Sequence, residues 1–136
     1  MTDITTYTPT VLVIEDETPL QNAIEIKLKS EGYGVLIASS ADEAITILSS
    51  QKPDLIWLDI LLPGMDGLAL LENIRANEDW KLIPVLIVSV TAGQDKIQQA
   101  FNLNVVDFIV KSQYRLEDII GRVNEFFEEK SKSISQ

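Results

Sequence analysis

The most constraining feature of this chain is a repeated alternation. Short runs of apolar residues are each followed by a stretch whose apolar residues recur at helical spacing. The runs at residues 11–14, 35–38, 55–58, 85–88 and 108–110 include several that are apolar at consecutive positions rather than at every second one. Strands read that way when both faces are covered, as in a parallel sheet with helices on each side. Between the runs, Leu20, Ala23, Ile24 and Leu28 form one stripe, with Thr18 and Pro19 expected as cap and first turn. Ala44, Ile45 and Leu48 fall together in a second helix, and Leu68, Leu71 and Ile74 in a third. The fourth, residues 95–101, is the weakest, with only Ile97, Ala100 and Phe101 apolar. The fifth is the clearest, carrying Leu116, Ile119, Ile120, Val123 and Phe127. This order predicts an α/β fold: (βα)5, doubly wound, a five-stranded parallel sheet flanked by five helices. A chain of 136 residues is enough for one such domain with its own core. The domain is expected over residues 10–128. Residues 1–9 and 129–136 are expected as flexible tails, because neither has a core-forming pattern.

Composition then removes whole classes of chemistry. The chain has no cysteine and no histidine. Disulfides, thiolate catalysis and the usual zinc and iron sites are excluded, and carboxylates, hydroxyls and lysine remain. A net charge of −10 disfavours nucleic acid and anionic membranes as partners, and favours a cation or a basic protein surface. The first residues are polar and Thr-rich without a secretory pattern, and no apolar run approaches the roughly 20 residues of a spanning helix. A cytoplasmic protein is expected, with no direct nucleic-acid or membrane binding.

In open α/β sheets, ligands bind beyond the carboxyl ends of the strands. Glu15, Asp16 and Glu17 follow the first run, Asp59 the third, Ser89, Val90 and Thr91 the fourth, and Lys111 the fifth. Taken singly, each is ordinary: an acidic loop, a helix cap, a satisfied hydroxyl, a surface lysine. Together they fall at the one rim where this architecture builds sites. Two carboxylates about 5 Å apart repel by roughly 3 kcal/mol at an effective dielectric near 20. Gathering Glu15, Asp16 and Asp59 therefore raises pKa values or calls for a cation. A hard divalent ion, Mg²⁺ or Mn²⁺, suits an all-oxygen set, and Lys111 can balance the remainder.

Four segments, in order, also carry a recognisable pattern. Val11-Leu12-Val13-Ile14-Glu15-Asp16-Glu17 resembles the opening strand and acidic pair of the response-regulator receiver (CheY-like) family of two-component signal transduction. Asp59-Ile60-Leu61-Leu62-Pro63-Gly64-Met65-Asp66-Gly67 resembles its phosphoacceptor loop. Pro84-Val85-Leu86-Ile87-Val88-Ser89 resembles the fourth strand with its terminal Ser/Thr, and Phe108-Ile109-Val110-Lys111 the fifth strand with its switch aromatic and lysine. The resemblance implies a flavodoxin-like, CheY-like fold and a signalling switch rather than a metabolic enzyme. It implies Asp59 as nucleophile forming an aspartyl phosphate, and Mg²⁺ held by Glu15, Asp16, Asp59 and the backbone carbonyl of Leu61. Ser89 and Lys111 would engage phosphoryl oxygens. Movement of Ser89 would let Phe108 turn inward and remodel the face formed by the fourth helix, fifth strand and fifth helix. Implied partners are a sensor histidine kinase or histidine phosphotransfer protein and a downstream target protein. Docking is expected at that face, including Lys96, Gln99, Phe108 and Tyr114, with the chain a monomer or weak homodimer.

The chain departs from the pattern in places. Glu15 stands where Asp is usual, Ser112 follows Lys111 in place of Pro, and Val90 replaces a small residue that crowds the phosphoryl pocket less. The Lys111–Ser112 bond is expected trans, since cis before a non-proline residue costs about 3–4 kcal/mol. Leu61 and Thr91 offer no carboxylate or amide to orient an attacking water, so a long-lived phospho-form is expected. Three other readings compete. A flavin carrier would place phosphate where Glu15-Asp16-Glu17 repels it. An Asp-nucleophile phosphatase would carry a second Asp at position 61, which is Leu. A pseudo-receiver would bind a partner without phosphorylation.

Overall fold

Five strands, β1 (Thr10–Ile14), β2 (Gly34–Ala38), β3 (Leu55–Leu58), β4 (Val85–Ser89) and β5 (Asp107–Val110), pair in parallel in the order β2-β1-β3-β4-β5. This is the arrangement of the computed structural model, which describes residues 8–90 and 93–135. Between them run α1 (Thr18–Ser30), α2 (Ala41–Leu48), α3 (Gly67–Ala76) and α4 (Gln94–Asn102), and α5 (Leu116–Ser135) follows β5. The doubly wound fold expected from the alternation is the one formed.

Strand alternation splits the apolar residues between two cores. Leu12, Ile14, Ile56, Leu58, Val85 and Ile87 face α2, α3 and Ala100 of α4. Val11, Val13, Leu55, Trp57, Leu86 and Val88 face α1 and α5, where Ile24, Leu28, Ile119, Ile120 and Val123 pack. Both faces are covered, which is why the runs are continuously apolar.

The helix starts show how local chemistry sets the loops. The Ser40 hydroxyl caps α2 by accepting from the Glu43 amide at 3.2 Å, and the Glu43 carboxylate accepts from the Ser39 amide at 2.6 Å. Asp66 caps α3 through the Leu68 amide at 3.1 Å. The cap expected at Thr18 lies one residue earlier, at Glu17, which makes no side-chain cap bond. Its amide is taken instead by the Glu15 carboxylate at 3.2 Å, so the chain stays extended one residue less than the Thr-Pro pattern suggested. The C-terminal boundary also differs: α5 runs on to Ser135 rather than fraying after Glu128. Glu and Lys are good helix formers, and Lys130 reaches back to within 6.0 Å of the Phe126 ring centre. Of the expected N-terminal tail, residues 1–7 lie outside the described residues.

Helix α4 is held chiefly at one end. Among its residues only Ala100 is buried, and its start at Gly93 has no side-chain cap. Its end is fastened by Arg75 of α3, which donates to the carbonyls of Leu103 at 2.7 Å and Asn104 at 3.3 Å, and to those of Lys81 and Ile83 at 3.1 and 2.8 Å. Burial pulls the Arg75 guanidinium below its ordinary pKa. Among the described residues, no helix is long and apolar enough to cross a membrane.

Candidate functional site

The strand order reverses direction between β1 and β3, and their carboxyl ends open the crevice where this architecture places ligands. Ile14 pairs in register with Leu58, so the next residues, Glu15 and Asp59, emerge side by side. The Asp59 amide donates to the Ile14 carbonyl at 3.1 Å, and the Glu15 amide to Ala38 at 3.0 Å, which carries the ladder one step past the strands. Glu15, Asp16 and Asp59 bring carboxylate oxygens within 4.8 Å of one another. Glu15 is 1% exposed and Asp59 4% exposed, whereas Asp16 faces solvent. An all-oxygen, partly buried set of this kind fits a hard divalent cation.

Donors from three other positions converge on Asp59. The Leu61 amide donates to Oδ1 at 2.9 Å, and the Ser89 hydroxyl to the same oxygen at 3.2 Å. The Lys111 ammonium lies 3.1 Å from Oδ2 and 2.7 Å from Glu15 Oε1. Burial raises the Glu15 carboxyl above its ordinary pKa, and the bond to Lys111 only partly offsets this. Burial by itself would lower the Lys111 pKa, but the hydrogen bond to Glu15 and the charge of Asp59 outweigh it and raise it. Lysine thus offsets part of the charge of the crowded carboxylates.

The loop after Asp59 approaches α3 so closely that position 67 admits no side chain. A Cβ on Gly67 would stand 2.7 Å from the Asp59 carbonyl oxygen and closer still to Ile60 Cα. Gly64 turns the same loop with φ +82°, in the left-handed region that glycine adopts freely. Past β5, residues 111–113 form a short 3-10 turn, and Lys111–Ser112 is trans. Val90 is 50% exposed, and Leu61 is also exposed. Thr91 lies outside the described residues.

Phe108 is half-buried against the α2–α4 core and lines a cavity of about 750 Å³ between β5 and α5, together with Tyr114 and Arg122. Arg122 pairs with Asp107 at 3.1 Å. Lys96 reaches Asp66 of the β3–α3 loop at 3.7 Å, and Gln99 and Tyr114 are exposed.

One residue of the site escaped sequence reasoning. The buried Gln21 amide donates to the Glu15 carbonyl and, at 2.8 Å, to the Ser39 hydroxyl, and so fixes the acidic loop against β2. Its signal was present: Gln21, Ile24 and Leu28 share the buried face of α1, where a polar residue needs a partner.

Comparison with known proteins agrees with this geometry. The family model described as "Response regulator receiver domain" matches residues 11–124. Among solved structures, a response regulator receiver protein from Pseudomonas putida is 30% identical, with 89% of this chain and 99% of that one covered and a TM-score of 0.82. A phosphorylated cyanobacterial phytochrome response regulator, RcpA, is 27% identical over 90% of this chain and 93% of its own, with a TM-score of 0.77. The Mn²⁺-bound form of the response regulator Rcp1 is 27% identical over 85% and 88%, with a TM-score of 0.73.

Proposed function

Because this chain belongs to the response regulator receiver domain family, we propose that it is a phosphorylation switch whose acceptor is Asp59. The observation that carries this reading is the convergence on one rim carboxylate of the Leu61 amide, the Ser89 hydroxyl and the Lys111 ammonium. A carboxylate left at a solvent-facing rim needs no such set, but an acceptor whose product is an anionic acyl phosphate does, because each donor can pass to a phosphoryl oxygen. The donor is a sensor histidine kinase or a histidine phosphotransfer protein. Its P–N bond breaks as the P–O bond to Asp59 forms, and the imidazole leaves. Glu15, Asp16 and Asp59, with the Leu61 carbonyl as a further ligand, would hold Mg²⁺ or Mn²⁺, and the Mn²⁺-bound relative supports that choice. When bound, the ion offsets negative charge on the phosphoryl in transit.

The switch follows from which bonds the product rearranges. Ser89 is drawn from Asp59 toward the phosphoryl, and Lys111 exchanges a carboxylate for it. The end of β4 then moves, and α4, which buries only Ala100 and is fastened by Arg75 at its far end, is the element that follows. Phe108 rotates inward, and the α4-β5-α5 face, with Lys96, Gln99 and Tyr114, changes shape for a downstream target protein. Residues 10–128 form the switching unit, a cytoplasmic monomer or weak homodimer that binds neither nucleic acid nor membrane directly. Borohydride reduction of the phosphorylated chain followed by peptide mapping tests the acceptor: homoserine is expected at position 59, and its appearance at another acid would refute the assignment.

A further inference from the structure

Gln21 shares the buried face of α1 with Ile24 and Leu28, so a primary amide occupies a position that the helix otherwise gives to apolar residues. Its partners lie on two different loops. The Gln21 Nε2 donates to the Glu15 carbonyl after β1 and, at 2.8 Å, to the Ser39 hydroxyl after β2. A backbone carbonyl only accepts, so the nitrogen of the amide has to face it, and its two hydrogens serve the two loops. Trp57, also set in an apolar face, has no such outlet, and among the described residues its buried indole N–H lacks a hydrogen-bond partner. Both ends of the Gln21 bridge are themselves held. The Gln21 main-chain amide donates to the Glu17 carbonyl at 2.9 Å, which closes the first turn of α1. The Ser39 amide donates to the Glu43 carboxylate at 2.6 Å, within the cap of α2.

We infer that Gln21 is a positioning residue for the divalent-cation site, setting how Glu15 and Asp16 face the ion and tying them to the β2–α2 loop. This role rests on the reading of Glu15, Asp16 and Asp59 as that site. The carbonyl that Gln21 holds belongs to the planar peptide joining Glu15 to Asp16. The Glu15 amide is already fixed by the Ala38 carbonyl at 3.0 Å. Holding the carbonyl as well removes the remaining backbone rotation of Glu15, and so fixes the point from which Asp16 springs. Asp16 faces solvent, so the main chain rather than packing sets where its carboxylate can reach. A neutral donor suits the task, because a cationic side chain there would compete with the ion for the three carboxylates. Groups that hold metal ligands from behind are typically worth about 10–100-fold in metal affinity.

Mg²⁺ titration of the unphosphorylated, ¹⁵N-labelled chain, read from amide shifts, tests this without any phosphodonor. Gln21→Met keeps the length and the burial but offers no donor, and is expected to bind Mg²⁺ about ten-fold more weakly. Before metal is added, its Glu17 amide is expected to exchange faster with solvent, because in the unsubstituted chain that amide donates to Glu15 Oε2 at 3.2 Å. Ser39→Ala keeps the bond to Glu15 and loses the anchor beyond it, so a smaller loss of affinity is expected. Ile24→Val thins the same face of α1 and is expected to lower Tm while leaving Mg²⁺ affinity as it was. Unchanged affinity in Gln21→Met, or an equal loss in Ile24→Val, would overturn the role given to Gln21. Unchanged affinity in Ser39→Ala would overturn the tie to the β2–α2 loop. Absence of Mg²⁺ binding by the unsubstituted chain would refute the cation site itself, a result separate from normal binding that Gln21→Met leaves intact.

Discussion

The Lys111 ammonium stands 2.7 Å from Glu15 Oε1, closer than its 3.1 Å approach to Asp59, so the lysine is shared between the acceptor and its acidic neighbour. The strand ends bring the pair together from opposite ends of the chain. Before any phosphoryl arrives, Lys111 offsets one of the three carboxylates of Glu15, Asp16 and Asp59 and leaves the set two positive charges short. That deficit is what a divalent cation would fill.

Glu15→Gln separates burial from pairing. The folded-state pKa of Glu15 is raised because burial outweighs Lys111, so at neutral pH the surroundings disfavour its charge. A neutral isostere is therefore expected to raise Tm at pH 7. As pH falls through the folded pKa, the Glu15 carboxyl of the unsubstituted chain takes up its proton before an unfolded one would, the folded state gains, and the difference between the two proteins closes. Lys111 acts at the other end of the scale: its raised pKa gives stability that is full below the unfolded lysine pKa and lost as pH rises through the folded one. Thermal melts across pH check both limbs, and a lower Tm for Glu15→Gln at pH 7 would contradict the first.

Gly67→Ala attacks the acceptor loop without touching a charge. The added methyl would press on the Asp59 carbonyl, and overpacking of this kind typically destabilises by about 1–3 kcal/mol. Gly64→Ala meets nothing within 4 Å and suffers only the strain of φ +82°. Urea denaturation should find both variants less stable, with phosphorylation slowed markedly only in Gly67→Ala. Equal slowing in the two would show that the close approach does not position Asp59.

Ser89→Ala removes one of two donors to Asp59 Oδ1 and keeps the Leu61 amide. A loss of about 1 kcal/mol in stability is expected from a single hydrogen bond. The larger effect should fall on the switch: phosphorylated Ser89→Ala is expected to leave the amide resonances of α4 and β5 near their unphosphorylated positions. Shifts as large as those of the unsubstituted chain would contradict the role given to Ser89.

The phospho-form is expected to last minutes or longer. Leu61 beside the site is apolar and exposed, and offers nothing that would orient an attacking water. Decay of phospho-Asp59 followed by intact mass checks this, and a lifetime of seconds would contradict it.

Much of this was legible in the residues themselves. Continuous apolar runs announced a sheet covered on both faces, and the residue after each run announced the rim, because strand ends and helix starts leave short-range marks. Gln21 and Trp57 were harder to read. Each is a polar group within an apolar face, and whether it finds a partner depends on what the fold sets opposite it. The Glu17 cap and the reach of α5 to Ser135 are hard to read for a related reason. Thr18-Pro19 is a sound local start signal that lost to a carboxylate two residues upstream of Glu17, and the end of α5 needs no core to stay helical.

The most direct measurement is intact mass after incubation with Mg²⁺ and acetyl phosphate, beside an Asp59→Asn control. The account predicts one added phosphoryl group, absent without Mg²⁺ and absent in the control. An unchanged mass at high donor concentration, in a chain shown to be folded, would contradict it and leave a protein-binding module that works without phosphorylation.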